Sequence, residues 1–128
     1  MARKITRKSL IKKLDTIVSK YIRLRDGCCV QCGTTQNLTN GHIFSRRHYS
    51  TRWDIGGDGN CHTQCWSDNY KHSFDNFDYY KWYREKFGED RFEELRGEYI
   101  KSRKYSNVEL EELYEQIKIK YEELEKQV

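Results

Sequence analysis

The chain has 128 residues, with 24 Lys plus Arg against 20 Asp plus Glu and a formal net charge of +4. That length suits one small domain. Leu, Ile, Val and Phe together number 26, about 20%, which lies near the lower limit for a globular chain and leaves room for a staple other than an aliphatic core. The 18 aromatic residues, ten of them Tyr, argue against disorder, because such rings bury area while keeping a polar edge. No apolar run approaches the roughly 18 residues of a membrane span, and no signal-peptide core follows Met1. The expectation is an intracellular protein with no membrane role.

From Thr6 to Arg25, apolar residues fall at Leu10, Ile11, Leu14, Ile17, Val18, Tyr21, Ile22 and Leu24, the spacing of an amphipathic helix, with Lys and Arg on the rest of the wheel. Asp26-Gly27 ends it. Residues 1–25 hold nine basic residues against Asp15 alone, whereas residues 97–128 hold six against eight Glu, so the N-terminal end faces any polyanion. Further cations at Arg46, Arg47 and Arg52 make nucleic acid the leading partner class.

The five cysteines, Cys28, Cys29, Cys32, Cys61 and Cys65, form two short clusters, and an odd number without a secretory signal does not suggest disulfides. Cys29-x2-Cys32 and a second cluster some thirty residues later instead suit the two halves of a zinc site. Isolated Cys28 and Cys61 read as small buried thiols. Between the clusters, Asn37 to Phe44 reads as a short strand interrupted by the turn signal Asn40-Gly41, and Arg46 to Asp58 as a polar connection in an irregular hairpin.

Asn60 opens a second predicted helix that runs through Cys65, Trp66, Asn69 and His72, with a break near Ser73 to Asn76. A third, Tyr79 to Phe87, stops at Gly88, and its Tyr and Trp residues read as core. Glu89 to Tyr99 carries Phe92, Leu95 and Tyr99 at helical spacing. The tail repeats Leu110, Ile117 and Leu124 every seven residues, a narrow seam that either docks on the domain or joins a homodimer. The expected organisation is a basic helix over 1–27, a core over 28–88 and a helical extension over 89–128, one structural domain in all.

The informative segments are Gly41-His42 and Asn60-Cys-His-Thr-Gln-Cys-Trp-Ser-Asp-Asn69. The first knuckle and the pair Cys65-x2-Asp68 would pin a zinc at the base of the hairpin and the start of the helix, with His42 facing Asn69. The order Cys29, Cys32, His42, Asn60, Cys65, Asp68, Asn69 resembles the HNH (ββα-metal) nuclease superfamily. Tyr21 to Asp26, Gly41 to Arg46, Thr51 to Asp54, Asn60 to Cys65 and Tyr79 to Gly88 are similar, in the same order, to the phage NinG (Rap) recombination-protein family.

The resemblance implies an α+β fold with a ββα-metal core, and a metal-dependent DNA endonuclease acting on branched recombination intermediates in a phage or prophage. Carried onto this chain, His42 would be the general base, Asn69 would bind catalytic Mg²⁺ or Mn²⁺ beside the scissile phosphate, with His42 as a further ligand, and Asn60 would brace the loop that orients His42. His62 would act from the metal side or behind it. Arg46, Arg47 and Arg52 would contact phosphates.

Two positions depart from the pattern. Asp68 stands where a fourth zinc-binding Cys is usual, leaving His62, His72 or Cys61 as alternative ligands. Gly41 stands where many such nucleases place a metal-binding Asp, leaving water, His42 or Asp75 to supply that ligand. The alternative functions are an HNH enzyme that nicks duplex DNA during packaging and a non-catalytic zinc-ribbon DNA-binding module.

Overall fold

The computed structural model describes residues 6–128; Arg3 and Lys4 of the basic N-terminal segment lie outside them. Thr6 accepts a hydrogen bond from the Ser9 amide at 3.1 Å and opens helix α1 (Arg7–Asp26). Gly27, at φ 74°, closes it: its amide still reaches the Arg23 carbonyl at 2.9 Å, and its left-handed conformation, which glycine adopts freely, turns the chain out of the helix. The periodic residues Leu10, Leu14, Ile17, Val18 and Ile22 are all buried. Helix α6 (Asn107–Gln127), started by a Ser106–Glu109 capping box, lays Leu110 and Ile117 on that stripe. The tail seam therefore docks within the chain. Each such aliphatic side chain contributes about 1.5–3 kcal/mol on burial.

Strands β1 (Leu38–His42) and β2 (Cys61–Cys65) form an antiparallel pair with Leu38 opposite Cys65 and His42 opposite Cys61. Two expectations are corrected here. Asn40-Gly41 lies inside a strand rather than at a turn, and Cys61 to Cys65 is a strand, so the helix begins only at Trp66, as α3 (Trp66–His72). The polar stretch Cys-His-Thr-Gln-Cys is buried along its whole length because its backbone pairs with β1 and helices cover both faces. The connection between the strands also holds a short helix, α2 (Tyr49–Arg52).

Neighbouring side chains of a strand point to opposite faces. The Cys61 face meets the α1–α6 core, whereas the His62 face meets α4 (Phe77–Phe87). The Tyr79 hydroxyl on α4 donates to the Gly41 carbonyl at 2.8 Å, and α5 (Glu89–Ile100) adds Phe92 and Leu95 to a second core around Ile43, Phe44, Tyr79 and Tyr83. The described residues thus form a mixed α+β fold of six helices and one two-stranded sheet.

Gly41 has a specific steric reason. A Cβ there would lie 2.1 Å from Gln64 Oε1 and 2.7 Å from its Cγ, and Gln64 is fully buried with its amide donating to Gln31 at 2.6 Å. The Gly41→Ala variant is expected to lose about 1–3 kcal/mol of stability, read as a lowered midpoint in urea unfolding. An unchanged midpoint would show that Gln64 swings aside at no cost.

Candidate functional site

Cys65 ends β2 and begins α3, its Sγ accepting from the Asp68 amide at 3.5 Å. That cap turns Asp68 back toward the knuckle, where Cys29 Sγ lies 3.2 Å from Asp68 Oδ2 and Cys32 Sγ 3.8 Å from Cys65 Sγ. The ligand atoms of Cys29, Cys32, Cys65 and Asp68 all fall within 4.8 Å of one another. A tetrahedron with Zn–S bonds of about 2.3 Å has S···S edges of about 3.8 Å, so this donor set fits a metal ion such as zinc. The structure gathers Asp68 with the three thiols and leaves His62, His72 and Cys61 outside the group.

Burial, with Asp68 beside it, pushes the Cys29 thiol up to about 12. Burial also raises Cys65. Without a cation the cluster thus favours thiols, and a bound dication would supply the charge that holds thiolates together.

A cleft of about 630 Å³ opens between β1, α1 and α3, and its walls include His42, Arg46, Arg52, Asn69 and His72. His42 Nε2 lies 3.0 Å from the Arg52 carbonyl. A carbonyl only accepts, so Nε2 carries the proton and Nδ1 keeps its lone pair. Burial pushes His42 down to about 4, with Arg46 and Arg52 acting in the same sense, against the carbonyl bond and Asp15. The imidazole is therefore neutral at pH 7.

Asn69 reaches the same wall with its orientation fixed. The Thr39 hydroxyl donates to the Gln64 carbonyl at 2.8 Å, so Thr39 Oγ1 accepts from Asn69 Nδ2 at 3.0 Å and Asn69 Oδ1 remains available. A hard oxygen donor of this kind suits Mg²⁺ or Mn²⁺. No carboxylate fits at position 41, where Gln64 occupies the space. Asp75 accepts from the Phe77 amide at 3.1 Å and does not line the cleft.

The three arginines separate. Arg46 is exposed and lines the cleft, and Arg47 is exposed but does not. Arg52 is half-buried and clamps Asp15 of α1 through two bonds of 2.9 and 2.6 Å, with the Trp53 indole donating to the same carboxylate at 2.8 Å. Burial alone would raise Asp15, but these bonds outweigh it and hold the carboxyl below its usual range. Asn60 is fully buried behind the wall, bonded to the Phe44 amide at 2.8 Å and to the Phe44 and Thr51 carbonyls at 2.9 and 3.2 Å.

Over residues 2–127 the sequence matches the model of the family described as Bacteriophage Lambda NinG protein. The chain belongs to this family. No curated protein and no solved structure is matched. Among the described residues of this NinG-family chain, no helix is long and apolar enough to cross a membrane.

His62 stands apart from the cleft. It is 2% exposed on the α4 face of β2, stacked against Phe87 and edge-on to Trp82 and Tyr83. Its Nε2 donates to the Gly59 carbonyl at 2.7 Å, and its Nδ1 faces Arg25 at 3.4 Å. Two cleft residues, Asp15 and His72, were not assigned to this wall from the sequence. Asp15 is the acid among the N-terminal cations, and His72 sits three residues after Asn69 on α3, a spacing that puts both on one helix face. His72 Nε2 lies 2.9 Å from the carbonyls of both His42 and Ile43, so it braces α3 against the end of β1.

Two outcomes follow from this geometry. Asp68→Ala should weaken zinc binding by more than about tenfold, measured by competition with a chromogenic chelator, because a ligand is lost from a four-coordinate site. Equal affinity would place the fourth ligand elsewhere. Burial lowers His62 from 6.5 to about 4, so its neutral form contributes stability that is full above pH 6.5 and is lost as pH falls toward 4. The whole shift corresponds to about 3 kcal/mol. His62→Phe should therefore lose less melting temperature than the wild type between pH 7 and pH 5, and an equal drop would refute the assignment.

Proposed function

We propose that this NinG-family protein is a metal-dependent endonuclease that hydrolyses DNA phosphodiesters, with branched recombination intermediates as its substrates. The observation that carries the reading is the neutral His42, its Nε2 proton committed to the Arg52 carbonyl, in one cleft with Asn69 and the exposed Arg46. A binding module would need neither a tautomer fixed in this way nor an amide oxygen set beside it.

His42 Nδ1 takes the proton from a water attacking the phosphorus. An imidazole in the free cleft titrating near 4 is a weak base. A phosphate lodged next to it raises that value toward neutrality, because an adjacent anion favours the imidazolium. Arg46 holds a neighbouring phosphate oxygen, and Arg52 acts indirectly, by fixing the carbonyl that orients His42. A divalent cation held by Asn69 Oδ1 and the phosphate itself would stabilise charge on the phosphoryl and leaving oxygens. The Cys29–Cys32–Cys65–Asp68 group anchors the start of α3 and takes no part in proton transfer. The branched-DNA preference rests on the family relation.

The test is cleavage of labelled four-way-junction, flap, single-stranded and duplex DNA with Mg²⁺, Mn²⁺ or EDTA. Metal-dependent cutting should fall by about 10²–10⁴-fold in His42→Ala, with zinc content and melting temperature retained. Binding without cutting under every metal, unaltered by the substitution, would leave a zinc-stapled DNA-binding module. Cutting confined to duplex DNA would favour a packaging-type nickase.

A further inference from the structure

The surface beside the cleft formed by α3, the turn after it and the first residue of α4 carries exposed aromatic rings that neither core uses. Trp66, Tyr70, Phe74 and Phe77 are 61%, 58%, 70% and 67% exposed. Trp66 and Tyr70 lie nearly parallel, with centroids 5.2 Å apart and an 8° interplanar angle, and Tyr70 and Phe74 meet edge-on at 5.6 Å. Trp66, Tyr70 and Phe74 follow one another at four-residue spacing, each set one position after the row of Asn69 and Ser73 that lines the cleft. The ladder and the cleft wall are adjacent strips of one short stretch of chain.

We propose that this ladder is a stacking platform for unpaired bases of the DNA strand whose phosphate enters the cleft; the inference rests on the reading of that cleft as a nuclease site. The composition points there, because the row is wholly aromatic and flat faces take nucleobases, whereas a helix-docking groove mixes in aliphatic side chains. Size points the same way. Four rings exposed to this degree offer roughly 500 Å², below the about 800 Å² that each partner of a stable dimer contributes, yet enough for a few bases. A depression between Trp66 and the start of β1, lined by Asn37, Leu38 and Thr39, extends the end of the ladder as a shallow recess.

Charge plays little part in this grip. Lys71 on the same helix is 2.5 Å from Asp78 and thereby paired. The contribution of the ladder to affinity is accordingly independent of salt, unlike that of the exposed Arg46 and Arg47.

The experiment measures binding of the zinc-loaded protein to labelled oligothymidylate and to a duplex of equal length by fluorescence anisotropy, at low and high salt without Mg²⁺ or Mn²⁺. Tyr70→Ala with Phe74→Ala is expected to weaken oligothymidylate binding by about tenfold at both salt levels while leaving duplex binding intact. Trp66→Ala should do the same, and Trp66→Phe should restore most of the affinity. These side chains are exposed, so melting temperature and zinc content should match the wild type. No loss, or an equal loss on the duplex, overturns the proposal. So does a wild-type dimer in light scattering that the alanine variants dissociate, because a second copy then covers the face. Strand binding through the ladder without any cleavage would sink the nuclease reading alone. Cleavage that depends on His42, with strand affinity untouched in the ladder variants, would sink the ladder alone.

Discussion

Cys65 joins three constraints on which the rest of the molecule depends. It closes β2, its Sγ caps α3, and the same sulfur is a corner of the group that holds Cys29, Cys32 and Asp68. A two-stranded ribbon of five residues a side is marginal by itself in water. Here it is fastened along β2: the Val30 amide donates to the Thr63 carbonyl at 2.9 Å, the Trp66 amide to the Asn37 carbonyl at 2.8 Å, and the Thr63 amide to Asp26 at 2.8 Å. The consequence is positional. Asn69 is one turn and His72 two turns from Cys65, so whatever fixes that sulfur also fixes the α3 wall of the cleft.

Backbone carbonyls, more than ion pairs, set the chemistry of the histidines. His42, His62 and His72 each present Nε2 to a main-chain oxygen, at 3.0, 2.7 and 2.9 Å, and burial lowers all three. An acceptor-only partner selects one neutral tautomer, so the cleft draws its charge from other groups. Asp15 and Arg52 cancel one another there, and Arg46 is left as the exposed cation of the wall. The net positive charge of the chain is thus a poor guide to the field inside the cleft.

Helix α1 was legible because its apolar stripe repeats at helical spacing between a Thr cap and a Gly stop, and the knuckle because Cys-x2-Cys spacing has few other uses. Asp68 could be placed with the thiols from its distance to Cys65 alone. The strand β2 was hidden, since His62 and Gln64 are polar residues on a fully buried strand and give no alternation to read. Asn40-Gly41 has the composition of a turn, but its glycine answers to the Gln64 side chain on the next strand, a contact with no local signature. Arg52 looked like a free cation for the same reason: its partner Asp15 lies 37 residues away, the lone acid on an otherwise basic polar face.

The low aliphatic content finds its explanation in the second core. Tyr79 is buried with its hydroxyl bonded to the Gly41 and His62 carbonyls at 2.8 and 3.3 Å, and the Tyr83 hydroxyl reaches the Asp58 carbonyl. Leucines at these positions would fill the space but lose the hydroxyl bonds that tie α4 to the strands and to the loop before β2, each contributing about 0.5–1.5 kcal/mol. Tyrosine supplies area and donor together, which allows a polar ribbon to be sandwiched between two helical layers. The rings left outside that arrangement are the ones on α3 and the turn into α4, next to the cleft.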